Sequence, residues 1–205
     1  MLLITAALKS ELPWEWLKSQ DIAIITKNND CTAPALNRHI IFITGVGPKN
    51  SHESAQWIVN NLRPAFILNL GSAGSFKQQL EIGNLVLPSQ ISNTKDENIQ
   101  NKLPFLLSKN IYIHTQTHLL STDSPVNHYD KKYNPYDLVD MEAYEQAIVC
   151  SQAKIPFCTI KGITDYILPT KKTSKEAQFN NYTKALKPLR VVFKNVLTEI
   201  LNIER

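Results

Sequence analysis

Residues 39–74 read HIIFITGVGPKNSHESAQWIVNNLRPAFILNLGSAG, and they decide the fold class. An apolar run, 39–47, closes on two glycines. Pro48 then stands where a first helical residue needs no N–H, and Ala55, Ile58, Val59 and Leu62 recur at helical spacing. A second apolar run follows at 65–74 and ends among Gly and Ser. Strand, helix, strand in this order predicts an α/β layered domain. Working outward, LLITAAL (2–8), NLVLPSQI (84–91), NIYIHT (110–115) and PFCTIKGITD (156–165) read as further strands. Several are apolar at consecutive positions, the mark of strands covered on both faces.

Two more helices are expected. One starts near Asp140, a possible N-cap, with Met141, Tyr144 and Ile148 on one face. The last covers roughly 184–201, with Leu186, Leu189, Phe193, Val196, Leu197 and Ile200 on a stripe; Pro188 should start or kink it. The polar stretches 92–109 and 122–137 read as loops. A chain of 205 residues without internal repeats can form one large domain, 1–205, with a real core.

Composition narrows the function classes. The net charge is +4 and the lysines are scattered, with only Lys131–Lys132 and Lys171–Lys172 adjacent, so no nucleic-acid footprint stands out. Cys31, Cys150 and Cys158 are an odd number without CxxC spacing, which reads as reduced, buried thiols of a cytoplasmic protein. The start MLLITAALKSELPW has no basic region before its apolar residues, unlike a secretory signal. No apolar run reaches the length needed to cross a bilayer. His114 and His118 lie outside any HExxH pattern, and no metal site or cofactor is expected.

Several short motifs carry chemistry only in combination. TGVGPKN (44–50) lacks the third glycine of a dinucleotide-binding loop, since Asn50 takes its place; it reads as a tight strand-to-helix turn. NLGSAGSF (69–76) brings Ser72, Ala73 and Gly74 to the end of a strand, where backbone N–H groups and a hydroxyl can approach a ligand, or where a turn simply packs. Asp165 in GITDY ends another strand; alone, such a residue is more often a helix cap than a catalyst. Glu11 follows the first strand by three residues and reads alone as a surface glutamate. In LVDMEAYE (138–145) two acids flank Met141, and a carboxylate at the end of an apolar run is costly unless paired. In open α/β sheets, groups at the carboxyl ends of strands converge on ligands.

The ordered set TGVGPKNS, ILNLGSAGSF, IGNLVLPS, LLSTDSPV, LVDMEAYEQAIVC and IPFCTIKGITD resembles the nucleoside phosphorylase/nucleosidase family. It is most similar to the 5'-methylthioadenosine/S-adenosylhomocysteine nucleosidases, over most of residues 2–166. The resemblance implies a three-layer α/β/α sandwich on a twisted mixed sheet, a homodimer, and hydrolysis of a purine N-glycosidic bond in nucleoside catabolism such as methionine salvage. It implies that Glu142 accepts hydrogen bonds from the ribose hydroxyls, with Met141 packed on the sugar. It implies that Asp165 protonates the purine and Glu11 activates water, while Ser72 helps hold water or sugar. Related phosphorylases carry arginines before the glycine turn and after the first strand. Here those places read Asn69–Leu70 and LKSELPW, which favours water over phosphate as nucleophile. Lys49 or Lys161 would have to replace the arginines in a phosphorylase. Pro125 and Val126 stand where methylthioadenosine enzymes commonly stack an aromatic ring on adenine. Futalosine or adenosylhopane nucleosidases therefore remain alternatives, as does a nucleoside-binding homologue without catalysis.

Overall fold

The consecutive apolar residues of the strands are divided between two helical layers. In the computed structural model, residues 1–20, 22–26, 39–105, 107, 111–169 and 174–203 are described. Among them lie strands β1 (Leu2–Ala6), β2 (Ile22–Thr26), β3 (His39–Ile43), β4 (Phe66–Ser75), β5 (Leu85–Val86), β6 (Gln90–Ser92), β7 (Asn98–Gln100), β8 (Ile113–His114), β9 (His118–Ser121), β10 (Leu138–Asp140) and β11 (Phe157–Tyr166). The helices are α1 (Trp14–Lys18), α2 (Pro48–Asn61), α3 (Ala143–Gln152) and α4 (Lys175–Ile203). Leu2, Ile4, Phe66, Leu68, Cys158 and Ile160 face α4 and α1, whereas Leu3 and Ile67 face α2 and α3. The protein is thus α/β, with helices on both faces of a mixed sheet. Burying both faces of each central strand is what its alternating side chains require.

The sheet runs β2-β3-β1-β4-β10-β9-β6-β7, and β11 lies beside β4 with β5 and β8 beyond it. β4 changes neighbours along its length: β1 pairs with Phe66–Asn69, whereas β10 pairs antiparallel with Gly74–Ser75. The sheet therefore forks at residues 70–73, and the fork opens towards the end of β1. A polar row pins the register below it. Thr159 Oγ1 donates to Asn69 Oδ1 (2.7 Å), Asn69 Nδ2 to Thr5 Oγ1 (3.2 Å), and Thr5 Oγ1 to Gln146 Oε1 of α3 (2.7 Å). A one-residue slip would break this buried row. α4 crosses β11 at Gly162, where an added methyl would lie 1.9 Å from Leu189 Cδ1, so only glycine permits the approach.

Several expectations need correction. α4 begins at Lys175, nine residues before the expected 184, and runs through Pro188 instead of starting there. Its buried face, Leu189, Phe193, Val196, Leu197 and Ile200, outweighs the hydrogen bond that proline removes. Asp140 ends β10, and α3 starts only at Ala143. The run 84–91 is two strands separated at Pro88, which cannot donate to a ladder. The 92–109 stretch, read as loop, contains β7, an antiparallel partner of β6. The 122–137 stretch contains a 3-10 turn at Lys131–Tyr133. β2, β9 and α1 had no counterpart in the sequence reading. Of the expected strand 110–115 only Ile113–His114 is a strand, and residue 110 lies outside the described residues. Cys31, Lys171 and Lys172 also lie outside them; Cys150 and Cys158 are free and buried. Among the described residues no helix is long and apolar enough to cross a membrane.

Candidate active site

At the fork in the sheet a side chain takes the place of a strand. Glu11 lies in the 3-10 turn Lys9–Glu11 that follows β1, and it is buried. Its Oε1 accepts the backbone N–H of Ser72 (3.0 Å) and the Ser72 hydroxyl (2.6 Å); its Oε2 accepts the Leu8 N–H (3.2 Å). Three donors fix the orientation of this carboxylate and leave about one of its lone-pair sites for a ligand. Ser72 is therefore inside β4 and not at its end, as the sequence suggested, because β11 pairs along the strand to Ser75.

Glu142 is held by the turn that precedes α2. Gly47 has φ 93°, a left-handed conformation that favours glycine, and its N–H donates to Glu142 Oε1 at 2.8 Å. The Met141 N–H reaches Oε2 at 3.3 Å. TGVGPKN is thus a tight turn, as expected, and it also supplies a hydrogen bond to the acid. Burial first, and then the nearby Asp140 charge, push the Glu142 carboxyl up to about 7.

Asp165 owes its direction to a bulge. The register of β11 on β4 slips between Ile163 and Asp165, so that Ile163 faces Ala73 and Asp165 faces Gly74 with Thr164 extra. Bulges re-aim side chains in this way. Burial raises the Asp165 pKa above the usual carboxylate range, against a lowering hydrogen bond from the Thr164 hydroxyl at 3.0 Å.

These three acids line one cavity of about 740 Å³, within the range of small-molecule sites. Ser72, Ala73, Gly74, Pro125, Val126 and Met141 line it too, so every residue that the resemblance placed at a catalytic or substrate-binding position faces this space. Phe179 and Tyr182, three apart on α4, form a further wall that no sequence motif marked. Their helical spacing was the available signal, obscured by placing the helix start at 184. The pairing of Asp140 is likewise visible only in the fold. Lys161 Nζ lies 2.6 Å from Asp140 Oδ2, and both side chains are 1% exposed. Burial would lower the Lys161 pKa, but the Asp140 and Glu142 charges outweigh it and raise it. Asp140 also accepts the Ala143 N–H (3.0 Å) and the Ser121 hydroxyl (2.5 Å), tying β9, β10, β11 and α3 together beneath Glu142. Lys49, by contrast, is exposed on the first turn of α2, 3.9 Å from Glu53. No lysine or arginine is among the described residues lining the cavity.

Folding stability should fall as pH rises between about 4.5 and about 7. The folded Glu142 holds its proton to about 7 whereas an unshifted carboxyl releases it near 4.5, so within this window the unfolded chain binds fewer protons. The contribution is complete below pH 4.5 and is lost on passing 7, at roughly 1.4 kcal/mol per pH unit. Asp165, also raised, acts in the same sense. Thermal melts of wild type and Glu142→Gln across pH 4–8 check this: the variant should show a flatter slope, and equal slopes would refute it.

A family model described as Phosphorylase superfamily matches residues 35–125 and 104–202. The 5'-methylthioadenosine/S-adenosylhomocysteine nucleosidase of Buchnera aphidicola subsp. Baizongia pistaciae is 26% identical over 193 residues, covering 79% of this chain and 77% of that protein. The enzyme of the same name from Bacillus subtilis is 22% identical over 155 residues, covering 62% and 67%. Among solved structures, the Neisseria meningitidis nucleosidase of that name, in complex with methylthio-immucillin-A, has a TM-score of 0.70 at 18% identity, covering 98% of this chain and 97% of that one. The Arabidopsis thaliana 5'-methylthioadenosine nucleosidase gives 0.72 at 21% identity, covering 96% and 94%. The futalosine hydrolase of Helicobacter pylori gives 0.69 at 16% identity, covering 97% of each chain. At these identities the structural likeness is one of fold.

Proposed function

Because the chain belongs to the phosphorylase superfamily, we propose that its cavity hydrolyses the N-glycosidic bond of a purine nucleoside, and that the substrate is a 5'-modified adenosine. The observation that carries this reading is the gathering of Glu11, Glu142 and Asp165 around one nucleoside-sized space. Glu142, ionised, accepts hydrogen bonds from the two ribose hydroxyls, and Met141 packs against the sugar. Asp165, protonated, donates to N7 of the purine as the bond from C1' to N9 breaks and its electron pair moves onto the base. Glu11 takes a proton from water as the water oxygen bonds to C1' of the oxocarbenium-like sugar. The products are the free base and a ribose with a hydroxyl at C1'. An acid and a base on opposite sides of a departing glycosidic bond is the logic of inverting glycoside hydrolysis. Ser72, whose hydroxyl hydrogen is given to Glu11, still offers lone pairs to the water.

Water is preferred to phosphate because phosphate binding needs cations or converging N–H groups. Lys161 is committed to Asp140, and Lys49 is not among the cavity-lining residues. A panel of methylthioadenosine, adenosylhomocysteine, futalosine and adenosine, read by free-base release, should give equal rates with and without phosphate. Strict phosphate dependence with a sugar-1-phosphate product would replace hydrolysis by phosphorolysis. Thermal stabilisation without turnover would replace catalysis by binding. Pro125 and Val126 on the cavity wall, without the expected aromatic ring, favour keeping futalosine in the panel. We further infer that residues 1–205 act as one domain, supported by the single sheet that connects the described strands. We also infer a homodimer and a part in methionine salvage from the family resemblance, and a cytoplasmic location from the cysteine pattern. Buried free thiols at Cys150 and Cys158 agree with the cytoplasm.

A further inference from the structure

Glu11 rides on a three-residue 3-10 turn, an element with too few hydrogen bonds to hold its own position. Its carboxylate is tied to Ser72 and Leu8, but the backbone beneath it needs a separate anchor. α4 supplies one. The Arg190 Nε–H donates to the backbone oxygen of Ser10 at 2.7 Å, and the Tyr182 hydroxyl lies 3.5 Å from the Ser10 hydroxyl. Both contacts fall on the residue directly before Glu11. Arg190 and Tyr182 are eight residues apart, about 12 Å along a helix axis, and they flank Pro188, where the helix lacks a donor. The arginine bond is charge-assisted and the stronger of the two.

We propose that Arg190 is a positioning residue for the reaction: it fixes the Ser10 carbonyl, and thereby holds Glu11 in register with the cavity floor. The proposal rests on Glu11 being the base. Arg190 is absent from the cavity lining, whereas Ala7, Leu8 and Glu11, on either side of its anchor point, belong to it. Its action is therefore on the shape of the 7–11 segment and not on the substrate. Misplacement of a reacting group by about 1 Å costs on the order of 10²-fold in rate.

Arg190→Met, assayed with whichever nucleoside of the panel turns over, should lose about 10- to 100-fold in kcat with little change in KM. Arg190→Lys, whose ammonium can still donate to the Ser10 carbonyl, should recover part of the loss. In a Glu11→Gln background Arg190→Met should cost nothing further, because the group it positions no longer acts. A merely structural role would lower kcat by the same factor in both backgrounds. That result, or a wild-type kcat in Arg190→Met, would overturn the inference while leaving an inactive Glu11→Gln to support the base. Full activity in Glu11→Gln would remove the base reading and this inference with it. Should Arg190→Met not fold, Arg190→Leu, which likewise carries no donor for the Ser10 carbonyl, carries the same comparison.

Discussion

Asp165→Asn is expected to lower kcat by about 10²–10⁴-fold, the usual contribution of a general acid, with KM nearly unchanged. Asparagine keeps the size and can still donate a hydrogen bond to N7, so binding survives. It cannot release a proton to a base that leaves with negative charge. The structural ground is that burial raises the Asp165 pKa, which keeps the carboxyl protonated further towards neutral pH. The same ground sets a pH dependence: kcat should decline as pH rises through the raised pKa, and the decline should vanish in the asparagine variant. Steady-state rates from pH 5 to 9 decide it. A variant with wild-type kcat would leave the leaving group without its acid, and the proposed mechanism would fail there.

Glu11→Gln is the second large expected effect, again about 10²–10⁴-fold in kcat. Glutamine can keep one acceptor for Ser72, but its amide nitrogen replaces an oxygen that now accepts either the Ser72 or the Leu8 hydrogen bonds. The turn should therefore loosen slightly while the base is lost entirely. Nucleoside binding, measured by calorimetry on the variant, should weaken only modestly, because the proposed ribose contacts belong to Glu142. If binding disappeared along with turnover, Glu11 would be a substrate ligand and the water would need another base.

The two variants separate what the sequence disclosed from what it could not. The α/β class was legible because strands buried on both faces leave consecutive apolar residues, and 39–74 shows two of them around a helix with its first-turn proline. The helix α4 was misplaced at its start because Pro188 looked like a boundary. Propensity at one residue was overridden by the buried stripe from Leu189 to Ile200 and by the anchor that Arg190 and Tyr182 provide. Short strands such as β7 and β9 were hidden for another reason: three or four residues are too few to show a period.

The site followed the same division. Glu11, Glu142 and Asp165 were identified as a set through their places at the ends of expected strands and through the order of their motifs; each alone read as a surface acid, a costly buried one or a helix cap. Their types and order along the chain belong to the sequence, and so does the absence of arginine from the two places where phosphorylases carry it. Tertiary structure alone decided how each acid is aimed. A fork between β1 and β10 gives Glu11 the N–H of Ser72, a left-handed glycine turns its amide to Glu142, and one extra residue in β11 redirects Asp165. Tertiary structure also assigned Lys161 to Asp140. The physical reason is that residue type fixes what a group can donate or accept, whereas its pKa, partners and direction come from neighbours that are distant in the chain and meet only when the sheet forms.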